Sequence, residues 1–290
     1  MHVHDLEALE MFLDYQRSKN LSPTTIRNRR SILTTLAGQV GNLVECDVFS
    51  LRRYVGRENV KAGTRRTERG AIVAFYTFLH EEGIRPDNPS TRLPIIRVPK
   101  GEPRPFSAEQ IDAMLNSGAY RRTQAMILVG YYQGFRVSSI ARVHGHDIDL
   151  MTDTISTLGK GAKLRRLPLH PVIRELSHTM PKDSWWFPAR KDPSKPMRSD
   201  SVTNLITKAK IRAGILDPLL TPHSLRHAFG TDLVEQDVDI RVVQELMMHE
   251  TLTTTQIYTR VSERRKRAGI VALPARPIPT RSGRKTPHAA

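Results

Sequence analysis

Six polar side chains, spread over the C-terminal two-thirds of a 290-residue chain, have the types needed to cut a phosphodiester. They are Arg136 in Gly134-Phe135-Arg136-Val137-Ser138, Lys160 in Gly159-Lys160-Gly161, His223 and Arg226 in His223-Ser224-Leu225-Arg226-His227, His249, and Tyr258 nine positions later. Two guanidinium groups can hold a phosphate in a planar, bidentate fashion, and a tyrosine hydroxyl can attack it. A phenol with a pKa near 10 is a weak nucleophile at neutral pH, so Tyr258 makes chemical sense only beside cations that stabilise its oxyanion and the extra charge of a pentavalent phosphate. His223 and Arg226, three residues apart, share one face of a helix whose start is marked by Pro222 and Ser224, where backbone N–H groups favour an anion. His223 and His227 at i and i+4 could alternatively pair on a metal, but no HExxH glutamate and no third ligand accompany them. A turn lysine at Lys160 can donate a proton to a departing oxygen, with Lys163 the second candidate for that role.

These residues need a scaffold, and the sequence supplies two. Leu6, Leu9, Phe12 and Leu13 mark one face of a helix over 5–18. Ser22-Pro23 reads as the N-cap and first turn of a second helix, with Arg27, Arg29 and Arg30 in its body. A third helix starts at Asp47, and a fourth runs over about 63–82 with Ile72, Phe75, Tyr76 and Leu79 inward and Arg65, Arg66 and Arg69 near its start. Residues 1–92 therefore read as a small helical domain. Five prolines in the 18 residues 88–105 exclude a regular helix there, and 93–105 reads as a linker. Fully extended, such a stretch reaches about 60 Å. Ser107 then caps the start of a second, mostly helical domain over 106–270. Its exception is a β-hairpin, with Thr154–Leu158 and Leu164–Leu167 flanking the basic turn Gly159–Lys163. The expected fold class is mainly α with a small antiparallel β-hairpin or sheet, built as a two-domain clamp.

The net charge of +16 is unevenly placed: residues 259–290 hold nine Lys/Arg against one Glu, half of the excess. A basic balance of this kind fits a polyanionic partner, of which DNA is the simplest. No apolar run is long enough to span a membrane, and the N-terminus has no secretory pattern. The single cysteine, Cys46, excludes an intrachain disulfide and any zinc site that needs a cysteine pair. Residues 271–290 are rich in proline and basic side chains, and a packed core there is not expected.

Taken together and in this order, the six residues resemble the tyrosine recombinases, or phage-type integrases. The resemblance implies a site-specific recombinase that cleaves and rejoins DNA through a 3′-phosphotyrosine intermediate and a Holliday junction. It implies Arg136, Lys160, His223, Arg226 and His249 as the catalytic set around the nucleophile Tyr258. It also implies DNA contacts from Arg27, Arg29, Arg30, Arg65, Arg66, Arg69 and Lys163. Energy is kept in the phosphotyrosine ester, so no metal, nucleotide or other cofactor is implied. The partners implied are double-stranded DNA at core-type attachment sites, three further copies in a tetramer on DNA, and a possible directionality factor; the setting is a bacterial cytoplasm. Residues 1–92 match the family's core-binding domain, with no additional arm-binding domain before it. The segment 261–271 matches the one that docks on a neighbouring protomer, and the terminal Ala289-Ala290 resembles a bacterial proteolysis tag. An Xer-type resolvase and a non-catalytic DNA-binding regulator of the same fold are the alternatives.

Two departures stand out. The family usually writes Thr-Gly-Leu-Arg-Val-Ser-Glu-Leu where this chain has Gln133-Gly134-Phe135-Arg136-Val137-Ser138-Ser139-Ile140. Ser139 thus replaces a glutamate suited to bracing Arg136. The residue before the active-site histidine is usually glycine, and here Met248 is expected to end its helix differently, because a left-handed conformation costs a side-chain-bearing residue.

Overall fold

The structure, a computed structural model, describes residues 2–99, 103–159 and 164–248. The chain divides into two compact units, Met1–Gly101 and Glu102–Ala290.

The first unit is built from α1 (Val3–Ser18), α2 (Pro23–Val40), α3 (Val48–Gly56) and α4 (Ala62–Glu81). Local signals set the helix starts. The Ser22 side chain accepts from the Thr25 N–H at 3.1 Å, and Asp47 accepts from Phe49 and Ser50 N–H groups at 2.6 and 3.0 Å. Such caps satisfy N–H groups that the helix itself leaves unpaired. The core packs Leu9, Phe12 and Leu13 of α1 against Leu33 and Leu36 of α2 and Phe75, Tyr76 and Leu79 of α4. Phe12 meets Phe75 edge-to-face, with ring centroids 5.3 Å apart. The buried Asp5 carboxylate accepts the Leu43 and Val44 N–H groups at 2.9 and 3.0 Å, which ties the α2–α3 loop to α1.

The second unit begins at α5 (Ala108–Leu115), where Ser107 and Gln110 form a capping box. It continues through α6 (Arg121–Tyr132) and the single turn α7 (Val137–Ile140) to a three-stranded antiparallel sheet of β1 (Ile148–Asp149), β2 (Thr154–Leu158) and β3 (Leu164–Pro168). Then come α8 (Pro171–Ser177), α9 (Ser199–Arg212), α10 (His223–Glu235) and α11 (Ile240–Leu246). The β2–β3 register pairs Ile155 with Leu167 and Leu158 with Leu164. Ile155 and Leu167 face the core, which also holds Met126, Ile127, Ile140, Ile173, Phe187, Ile206 and Leu225. The mainly helical class with a small antiparallel sheet is the one expected; β1, only two residues long, adds a strand that the hairpin pattern did not announce.

Candidate active site

Helix α10 carries two of the six residues. Arg226 is 1% exposed, the largest of the fully buried side chains among the described residues. Its Nη1 donates to the Gly134 carbonyl at 2.6 Å, and its Nη2 donates to the Met247 carbonyl. The guanidinium therefore joins the α6–α7 loop to the end of α11, and these carbonyl dipoles offset part of the cost of burying a cation. The loop fits this contact because Gly134 has φ +58°, and a Cβ there would lie 2.4 Å from the Phe229 ring. Both the backbone conformation and the close approach demand glycine.

Arg136 follows two residues later, as the N-terminal flank of α7, and is half-buried. Among the described residues its guanidinium makes no hydrogen bond or ion pair, and Ser139 supplies no carboxylate to brace it. Its charge nevertheless reaches His223. Burial, then Arg226, then Arg136 push the His223 imidazole below its ordinary pKa. The His223 ring keeps an edge toward solvent while packing against His227, edge-to-face at 4.7 Å. His227 is driven down to about 4 by burial, His223 and Arg226. Both rings are therefore neutral at pH 7. The structure thus gathers Arg136, His223 and Arg226 around one spot at the start of α10.

Helix α11 ends in a left-handed residue despite its sequence. Met248 takes φ +50°, and its N–H bonds to the Glu245 carbonyl at 2.9 Å. The expectation of a different ending is corrected: the cap geometry is kept, with methionine bearing a cost of about 1–2 kcal/mol. Its side chain packs against the core of the unit, which offsets that cost. Lys160, Lys163, His249 and Tyr258 lie outside the described residues, as does the segment 261–271.

The family model described as "Phage integrase family" matches residues 104–265, more than half of the chain and all of the six-residue set. The chain belongs to the phage integrase family. Tyrosine recombinase XerD of Yersinia pestis is 30% identical over 92% of this chain and 97% of its own length. The integrase from mycobacterium phage Brujita is 36% identical over 90% of each chain, at a TM-score of 0.49. The fold matches that of lambda integrase(75-356), solved as a dimer bound to a COC′ core site, with TM-score 0.71 and 15% identity over 88% of this chain and 97% of that one. This integrase-family chain is a site-specific tyrosine recombinase, an enzyme of DNA strand cleavage and religation. Among its described residues no helix is long and apolar enough to cross a membrane, and no cluster of metal-ligating side chains is present.

The recombinase's first unit holds the six arginines expected at DNA, and they differ in what they touch. Arg30 pairs with Glu10 at 2.6 Å, and Arg29 donates to Gln16. Arg65 donates to the Arg57 carbonyl at 2.6 Å and Arg69 to the Leu93 carbonyl at 3.0 Å. These four hold α1, α2, α4 and the following segment in place, whereas Arg27 and Arg66 are exposed. In the second unit, sequence reasoning missed Lys210. It is 6% exposed, and its Nζ donates to the Asp217 and Leu220 carbonyls at 2.7 and 3.0 Å, fixing the loop that delivers His223. Its acceptors, at i+7 and i+10, lie in an irregular loop, which no periodicity signals.

Proposed function

We propose that this recombinase is an integrase of a phage or similar mobile element, and that Tyr258 is its nucleophile. The observation that carries the reading is the convergence of Arg136, Arg226 and a neutral His223 at the start of α10. Arg226 is set in place by backbone carbonyls before DNA arrives, so little reorganisation is needed when charge develops on phosphorus. Arg136, without a protein partner among the described residues, is the cation left to pair with a phosphate oxygen. A phosphodiester between the two arginines would offset their field and raise the proton affinity of His223, which suits it to taking the tyrosine proton. Lys160, on the hairpin turn, would donate a proton to the departing 5′-oxygen, and His249 would complete the donors around the phosphate.

Residues 1–92 would bind one side of a core-type site through Arg27 and Arg66, with Arg29, Arg30, Arg65 and Arg69 shaping that surface. Linker 93–105 would pass across the duplex to the catalytic domain 106–270. Four protomers would exchange strands in two rounds through a Holliday junction, the segment 261–271 docking on a neighbour and a directionality factor setting the outcome. The XerD similarity over 92% of the chain supports a second reading, an Xer-type resolvase with the same chemistry.

A nicked DNA substrate that loses a short fragment on cleavage tests the chemistry. The enzyme is expected to become linked to the 3′-phosphate and to leave a free 5′-hydroxyl. Linkage at a 5′-phosphate, or nicking with no protein attached, would overturn the reading.

A further inference from the structure

Residues 213–222 join α9 to His223, and Lys210, in the last turn of α9, meets this loop through both its backbone and its side chain. Its carbonyl accepts the Ile215 N–H at 3.1 Å, where Gly214 takes φ +75° and the helix ends. Its Nζ donates to the Asp217 and Leu220 carbonyls at 2.7 and 3.0 Å. The bond to Leu220 is itself buried, so that carbonyl depends on a protein donor. Among the described residues no carboxylate pairs with the buried amino group. A second brace follows at once: the Thr221 N–H donates to the Ser224 Oγ, in the first turn of α10, at 3.2 Å. The chain is therefore held at Ile215, Asp217, Leu220 and Thr221, and His223 follows two residues later.

We propose that Lys210 is a positioning residue for strand cleavage: by gripping the Asp217 and Leu220 carbonyls it sets how deeply His223 sits beside Arg136 and Arg226. The proposal rests on the reading of His223 as the acceptor of the tyrosine proton. Burying a lysine against carbonyls alone is costly, and an apolar side chain would fill the same space without that cost. What the lysine adds is geometric, since its several N–H donors bring two carbonyls of an irregular loop to one point. Among the described residues, the charged and titratable groups facing His223 are Arg226 and His227 on its own helix and Arg136 from the loop before α7. Burial lowers the His223 pKa more than either arginine does. A loop released at Lys210 would let the His223 end of α10 turn toward water, while His227, one helical turn further along, keeps its place. A misplacement of about 1 Å at a reacting group costs on the order of 10²-fold in rate.

Two variants of the full chain separate positioning from charge and from stability. Lys210→Met keeps an unbranched side chain and removes the donor, and Ser224→Ala removes the second brace without changing charge. NMR titration of the histidine rings in the DNA-free protein reads the setting of His223 directly. In both variants His223 is expected to titrate closer to 6.5 than in the wild type, with His227 still near 4. Single-turnover cleavage by Lys210→Met is expected to slow about 10²-fold at unchanged DNA affinity. The acidic limb of its pH profile is expected to move to higher pH, because the histidine must be neutral to accept a proton. Should Lys210→Met not fold, Lys210→Gln, neutral and too short to reach both carbonyls, takes its place. A His223 that titrates as in the wild type, or His223 and His227 moving together, would overturn the proposal. So would a shift in the Lys210 variant that Ser224→Ala does not share, which would make it an effect of lost charge. A displaced His223 with cleavage at the wild-type rate would instead overturn the reading of His223 as the proton acceptor, and the role of Lys210 in cleavage with it.

Discussion

Arg226 and Gly134, 92 residues apart in sequence, meet in a 2.6 Å hydrogen bond from guanidinium to backbone carbonyl. The same guanidinium reaches the Met247 carbonyl at the end of α11. One buried cation thus fixes the loop leading to Arg136 and the helix end leading to His249. Lysine can reach one of these acceptors but has no planar fork to span both. Arg226→Lys is expected to lower the rate of DNA cleavage by about 10²–10³-fold, the typical cost of one preorganised donor, while changing DNA affinity much less. Near-normal single-turnover cleavage by this variant would contradict the clamp.

The paired histidines give a pH signature. Both titrate below the ordinary value of 6.5, His227 near 4, because burial and the neighbouring cation disfavour protonation. The unfolded chain then binds more protons than the folded one below pH 6.5. Stability from this pair is complete above that pH and is lost as pH falls toward 4. NMR titration should find both rings neutral at pH 7. Arg136→Gln, by removing one cation, should move His223 back toward 6.5. A His223 that titrates at or above 6.5 in the DNA-free protein would refute the electrostatic assignment.

Met248 separates backbone cost from packing. Glycine would remove a left-handed penalty of about 1–2 kcal/mol. It would also forfeit packing of a half-buried side chain, worth about 1 kcal/mol. Met248→Gly is therefore expected to leave the thermal midpoint within about 3 °C of wild type. Met248→Val, β-branched at φ +50°, is expected to lower it. Differential scanning calorimetry of the two variants decides; equal behaviour would show that the conformation carries no strain.

What the sequence made legible was local. Ser22, Asp47 and Ser107 announce helix starts because a cap acts within three residues, and Thr154–Leu158 with Leu164–Leu167 announce a hairpin because strand and turn chemistry are adjacent in the chain. The proposed chemistry rests on a set of residue types read from the sequence, of which the structure describes Arg136, His223 and Arg226. The long-range bonds were not. Arg29, Arg30, Arg65 and Arg69 each have a partner within their own unit that their helical spacing does not reveal. Lys210 bonds to carbonyls in an irregular loop and Gln133 to the Pro168 carbonyl at the end of β3, and only the folded chain brings those segments to them. Met248 keeps a glycine-like cap because packing outweighs a local preference.

The central claim is that Tyr258 attacks the phosphate. Two other tyrosines fit poorly. The Tyr131 hydroxyl donates to Asp232 at 2.6 Å, and burial followed by that carboxylate pushes its pKa above the ordinary value. Tyr132 is stacked on His170. The most direct measurement is peptide mapping of the protein–DNA adduct trapped on a nicked substrate, for the wild type and for Tyr258→Phe. The account predicts a nucleotide remnant on Tyr258, and no adduct from Tyr258→Phe despite near-normal DNA binding. A remnant on Tyr131 or Tyr132, or adduct formation by Tyr258→Phe, would contradict it.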